Sequence, residues 1–105
     1  MMRCLTQTDM ITELAQRLPT LRESYDINQT QLGTLIGKSR QQISKIERGI
    51  TPLGWDTCLA IVMVTHNRDA TIFNKVMGDD YFAQIHDFIN SYENESCHRF
   101  EEEKR

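Results

Sequence analysis

The chain has 105 residues, 12 Lys and Arg against 15 Asp and Glu, and a formal net charge of −3 with 39% hydrophobic residues. That length holds one small domain with an appendage and leaves little room for a scaffold plus a catalytic cleft. Only two prolines and five glycines are present, without strand-like alternation, so the composition favours an all-helical fold.

Met1 to Thr8 reads as a loose N-terminal arm. It has no apolar segment of the kind that marks a secretory leader, and no apolar run in the chain approaches the ~18 residues of a membrane span. A cytoplasmic protein without membrane association is therefore expected. Thr8 is read as the cap of a first helix beginning at Asp9. Met10, Ile11, Leu14, Leu18 and Leu21 form a helical apolar stripe that continues to about Tyr25. Pro19 interrupts the stripe, and its missing N–H either kinks one helix or splits it in two.

The segment from Asn28 to Gly49 spells two short helices joined by a tight turn. Asn28 and Gln31 form a capping-box pair, and Leu32, Leu35 and Ile36 supply an apolar face. Gly37 stands where a helix-ending residue needs positive φ. Ser39 and Gln42 form a second capping pair, which starts a helix at about Arg40, and Gly49 stops it.

At about 100° per residue, Arg40, Gln41, Ser44, Lys45 and Arg48 share an arc of roughly 140° on this second helix. Ile43, Ile46 and Glu47 lie opposite. Arg and Gln on the free face of a helix held from behind can read guanine and adenine edges in the major groove. Arg40, Gln41, Ser44 and Lys45 are the expected base-contacting residues. Lys38, Arg48 and Thr51 are placed for phosphates, which set register without reading sequence. Between Leu21 and Gly49 there are five Lys/Arg against three Asp/Glu, whereas from Asp79 to Arg105 there are three against eight. The positive charge is concentrated in the proposed reading head.

Gln29, Leu32, Gly37, Ser39, Ile43, Ser44, Glu47 and Gly49 stand at the spacing of a known family. The segment from Leu21 to about Pro52 resembles the helix-turn-helix domain of the Cro/C1-type repressors, the XRE family. Gly33 departs from the pattern, since the family usually has alanine there. The resemblance implies a lambda-repressor-like bundle of five or so helices, here with an additional C-terminal helix. It also implies that Gln29 touches a DNA phosphate from its helix N-terminus, and that Arg22 of the first helix pairs with Glu47. The second pairing has an independent reason: an inward-facing carboxylate needs a partner.

After Thr51-Pro52 the chain enters a helix expected from Trp55 to Thr65, apolar almost all round. Trp55, Cys58, Leu59 and Val62 form one stripe, and Ile61, Met63 and Val64 another. One stripe closes the DNA-binding core and the other receives the C-terminal part. His66-Asn67-Arg68 reads as a turn, Asp69 as the cap of a helix from Ala70 to Met77, and Gly78 as its stop. A last helix opens at Asp79-Asp80 and runs to about Tyr92 or Glu95. Its apolar residues Phe82, Ile85, Phe88, Ile89 and Tyr92 either fold back on the chain or form a dimer interface.

These readings divide the chain into an arm (1–8), a DNA-binding domain (9–66), a helical extension for packing or dimerisation (67–95) and a polar tail (96–105). Cys4, Cys58 and Cys97 with His66, His86 and His98 show no zinc or disulfide spacing, so no metal or cofactor is expected. With no phosphate loop or catalytic constellation, an enzyme is not expected either. Two functions remain. One is a dimeric, sequence-specific repressor of double-stranded DNA carrying an inverted repeat. The other is an antitoxin or adaptor whose main work is to bind a protein partner through its C-terminal helix.

Overall fold

The computed structural model describes residues 5–90. Within them the fold is all-helical: α1 (Gln7–Ser24), α2 (Gln29–Ile36), α3 (Arg40–Glu47), α4 (Trp55–Arg68), α5 (Ala70–Met77) and a sixth helix, α6, described over 81–90. Tyr92 and the polar tail lie outside the described residues.

α1 begins two residues earlier than expected. Its cap is Thr6, not Thr8. The Thr6 hydroxyl accepts from the Asp9 N–H at 3.1 Å, and the Asp9 carboxylate accepts from the Thr6 N–H at 3.1 Å. Pro19 does not split the helix, which runs unbroken through it to Ser24. Met10, Leu14, Leu18 and Leu21 are buried along one face, so packing on both sides of the proline compensates for its lost hydrogen bond.

The caps of α2 and α3 are reciprocal. Asn28 and Gln31 exchange bonds of 2.7 and 2.8 Å, and Ser39 and Gln42 exchange bonds of 3.1 and 2.7 Å. Gly37 adopts φ 76°, and the Lys38 N–H returns to the Gly33 carbonyl at 2.8 Å. Gly33 is itself confined, since a Cβ there would collide with the Lys38 carbonyl oxygen. This close approach accounts for a glycine inside α2 despite a helix-propensity cost of about 1 kcal/mol relative to alanine.

Leu32 is fully buried, but Leu35 is 44% exposed, contrary to the apolar face assigned to it. α2 packs on α3 and α4 through Leu32 and the half-buried Ile36, and Leu35 falls beyond the edge of that contact. On α4 the inward set is Thr57, Cys58, Ile61, Val62 and Thr65. Met63 is 53% exposed, so the second apolar stripe is incomplete. The expected turn at 66–68 is helical. α4 runs to Arg68, and Asp69 ends it and caps α5 through its carboxylate, which accepts from the Thr71 and Ile72 N–H groups.

The helices flanking the central pair close on each other. Arg17 donates to the Val76 and Met77 carbonyls at the end of α5, and the Leu5 N–H donates to Gln84 at 2.7 Å. Tyr81 and Ile85 are buried, Phe82 stacks on His66 with ring centroids 3.6 Å apart, and Phe88 meets Trp55 edge-on at 5.4 Å. Ile85 is thus an internal core residue and not part of an exposed dimer face. Phe82, Phe88 and Ile89 are half-buried against the chain's own core.

One buried polar pair has a pH consequence. The Tyr81 hydroxyl donates to the Met10 carbonyl at 2.6 Å, which leaves its oxygen to accept from the Cys58 thiol at 3.9 Å. Burial pushes the Cys58 thiol up to about 11 and the Tyr81 phenol well above its usual range. The folded state therefore retains protons that the unfolded chain releases above pH 9 to 10. Stability from this pair is intact below pH 9 and declines as pH rises from there through 11. The urea midpoint should fall between pH 8 and 10.5, and Tyr81→Phe should show a shallower fall from a lower starting value. Identical slopes in the two proteins would exclude this origin.

Candidate nucleic-acid interface

The candidate reading head is assembled by backbone geometry at both ends of α3. Its N-terminus is fixed by the Ser39–Gln42 box. At its C-terminus Gly49 takes φ 77°, the Gly49 N–H returns to the Ile46 carbonyl, and the Ile50 N–H returns to the Lys45 carbonyl at 2.9 Å. This paired return is the glycine-dependent helix stop, and it turns the chain away immediately after Arg48. Ile43 and Ile46 point inward and are buried.

The opposite face carries Arg40, Gln41, Ser44, Lys45 and Arg48, which together line one open concavity. Among the described residues, the side chains of Arg40, Gln41, Ser44 and Lys45 make no hydrogen bond or ion pair, and the Arg48 guanidinium only leans back on the Ser44 carbonyl at 3.4 Å. Ser44 is half-buried, and the four longer side chains are exposed. Burial holds the helix from behind, while Arg40, Gln41, Ser44 and Lys45 face outward without side-chain partners among the described residues.

A second concavity adjoins the first. Lys38, Lys45 and Thr51 line it together with Gln42, Asp56 and Thr57. Lys45 is common to both; Lys38 and Thr51, read as phosphate contacts, line only the second, whereas Arg48 lines the first. The contribution of Asp56 and Thr57 at the start of α4 was not apparent from the sequence, since it depends on how the 51–54 loop returns to α3. Ile50 in that loop is 61% exposed.

Behind α3 lies the clamp. Arg22 donates through Nε to Glu47 Oε2 at 2.8 Å and through Nη2 to Oε1 at 3.2 Å, and its Nη1 donates to the Ile27 carbonyl at 3.0 Å. Side-chain exposures of 13% and 7% place the pair largely out of water. The bond to Glu47, more than the burial that opposes it, raises the Arg22 pKa. Gln29 joins the same group, its Nε2 donating to Glu47 Oε1 at 3.1 Å. The family resemblance implies a phosphate contact for Gln29; in the structure its amide is bound to the carboxylate that closes α3.

Residues 20–64 match the helix-turn-helix family model. They form a Cro/C1-type helix-turn-helix domain of the XRE family. That family consists of DNA-binding transcription regulators. α2 and α3 are its two characteristic helices, with Gly37 and Lys38 at the turn between them. The match begins within α1 and ends within α4, so the first part of α1 and the whole of α5 and α6 lie outside it. No curated protein and no solved structure matches the chain. Among the described residues, no helix is long and apolar enough to cross a membrane.

Proposed function

We propose that the protein is a sequence-specific repressor that binds double-stranded DNA as a homodimer, with α3 laid in the major groove of each half-site. The observation that carries this reading is the outward face of α3. Four side chains suited to base edges stand there without partners among the described residues, on a helix fixed at both ends and buried behind. Arg40, Gln41, Ser44 and Lys45 contact bases; Lys38, Arg48, Thr51 and Gln29 serve the backbone. Two copies would present their α3 helices about 34 Å apart, one turn of duplex. Each protomer contributes the half-buried Phe82, Phe88 and Ile89 edge of α6 to the two-fold contact. Occupancy of an operator by such a dimer is enough to exclude other proteins from it.

The test is selection of binding sites from random duplex DNA, run in parallel with an Arg40→Ala/Gln41→Ala variant. An inverted repeat enriched by the native chain and lost by the variant supports the reading. A folded, soluble native chain that enriches nothing would overturn it.

A further inference from the structure

Lys38, Lys45 and Thr51 share the second concavity with a carboxylate. Asp56, in the first turn of α4, lines it with them and is exposed. Among the described residues, no ion pair joins Asp56 to either lysine. The carboxylate is held instead by its own helix. Gly54, the cap of α4, has no side chain to offer, and Asp56 Oδ1 accepts from the Thr57 N–H at 2.9 Å. Two cations therefore stand beside an anion that the backbone orients and that neither of them neutralises. A carboxylate at a helix start is favourable in itself. A serine or asparagine in place of Gly54 would cap the same end without bringing a charge into the concavity. An anion that pairs with neither lysine acts on whatever enters between them.

We propose that Asp56 is a brake on the holding of DNA: its charge opposes the phosphate that Lys38 and Lys45 attract, and so limits the sequence-independent part of binding. This rests on the DNA-binding reading above. Phosphate contacts supply essentially all of non-specific affinity, whereas preference comes from base edges. Asp56 lines the second concavity and not the Arg40–Arg48 face. It therefore weakens holding without altering reading, and the protein leaves non-cognate duplex sooner than its lysines alone would allow.

The experiment uses the full chain on two duplexes, the one recovered by selection and one of random sequence, over a salt series. The native protein is compared with Asp56→Asn, Asp56→Glu, Lys38→Ala and the Lys38→Ala/Asp56→Asn double variant. Asp56→Asn keeps an acceptor oxygen for the Thr57 N–H and removes the charge. It should bind both duplexes about three- to fivefold more tightly at low salt, the scale of one exposed charge interaction. It should leave the random duplex more slowly by a similar factor and keep the native base preference. Its slope of log affinity against log salt should steepen, by up to about 0.9. Asp56→Glu, which keeps the charge, should stay near native, and the gain from Asp56→Asn should shrink when Lys38 is absent. Unchanged or weaker binding by Asp56→Asn, with a lowered melting temperature, would show that the carboxylate serves α4 alone. An equal gain in Asp56→Glu would show that charge is not the cause, and a gain undiminished without Lys38 would place the action of Asp56 elsewhere. Any of these overturns the proposal. A native chain that enriches an operator while Asp56→Asn changes nothing loses only the brake; a folded native chain that holds neither duplex loses the DNA-binding reading and the brake with it.

Discussion

Glu47→Ala should lower the melting temperature by 10 °C or more, whereas Ser44→Ala, three residues earlier in α3, should change it by less than about 3 °C. The two substitutions remove side chains of comparable local helix preference, so the difference isolates what Glu47 holds. Without it the Arg22 guanidinium, only 13% exposed, keeps its bond to the Ile27 carbonyl but loses its counter-charge. Gln29 loses its acceptor as well. Removing one partner of a largely buried ion pair typically costs about 3–5 kcal/mol, because the remaining charge is left desolvated. For a domain of this size each kcal/mol corresponds to roughly 4–8 °C. Ser44 makes no side-chain hydrogen bond among the described residues, and a substitution there stays within about 0.5 kcal/mol. Arg22→Ala should be milder than Glu47→Ala, since the carboxylate it leaves behind keeps the Gln29 amide. Thermal unfolding followed by circular dichroism decides the order. Equal shifts for Glu47→Ala and Ser44→Ala would mean that the pair contributes nothing to holding α3.

The parts of this fold that could be read from the sequence are those encoded within three or four residues. Asn28 with Gln31, Ser39 with Gln42, Gly37, Gly49, Asp69 and Gly78 each fix a helix end through contacts with near neighbours, and each lies where its local chemistry places it. The start of α1 was equally local, because Thr6 and Asp9 have capping-box spacing, but Thr8 also precedes an acidic residue and competes for the same assignment. Choices that depend on the third dimension were not legible. Leu35 and Ile36 differ by one step of the helix, and only the course of α4 decides that Ile36 packs and Leu35 does not. His66-Asn67-Arg68 carries turn-forming residues, yet Phe73 and Phe82 pack on the His66 ring, and the helix continues to Arg68. The bonds from Tyr81 to Met10 and from Leu5 to Gln84 join residues more than 70 positions apart through groups with no periodic signature. The same distinction applies at the site. The face of α3 follows from its 100° step, the pairing of Arg22 with Glu47 follows from family resemblance and the need of a carboxylate for a partner, and the second partner of Glu47, Gln29, emerges only when α2 and α3 cross.

Arg40→Ala should weaken binding to the selected operator by about 10- to 100-fold, and should do so by erasing preference at one base pair per half-site. The exposed Arg40 guanidinium makes no hydrogen bond or ion pair among the described residues, so on the DNA-reading proposal the substitution removes a base contact and takes nothing from the fold. Its melting temperature should stay within about 3 °C of native. A guanine whose O6 and N7 lose a bidentate donor is no longer favoured over the other bases, so operators altered at that position should bind the variant as well as the original does. Lys38→Ala should behave differently. Lys38 stands in the turn and lines the second concavity, away from the Arg40–Arg48 face. Its loss should weaken all duplexes by a similar factor, keep the base preference, and reduce the slope of log affinity against log salt by about 0.9 for each phosphate contact removed. Lys45 lines both concavities, and Lys45→Ala should combine a smaller salt slope with a partial loss of preference. The three variants thus separate reading from holding on a surface where charge alone cannot. If Arg40→Ala retained the native preference at every position, α3 would not be reading bases through that residue. If Lys38→Ala relaxed preference at a single base pair, the division between the two concavities would be in error.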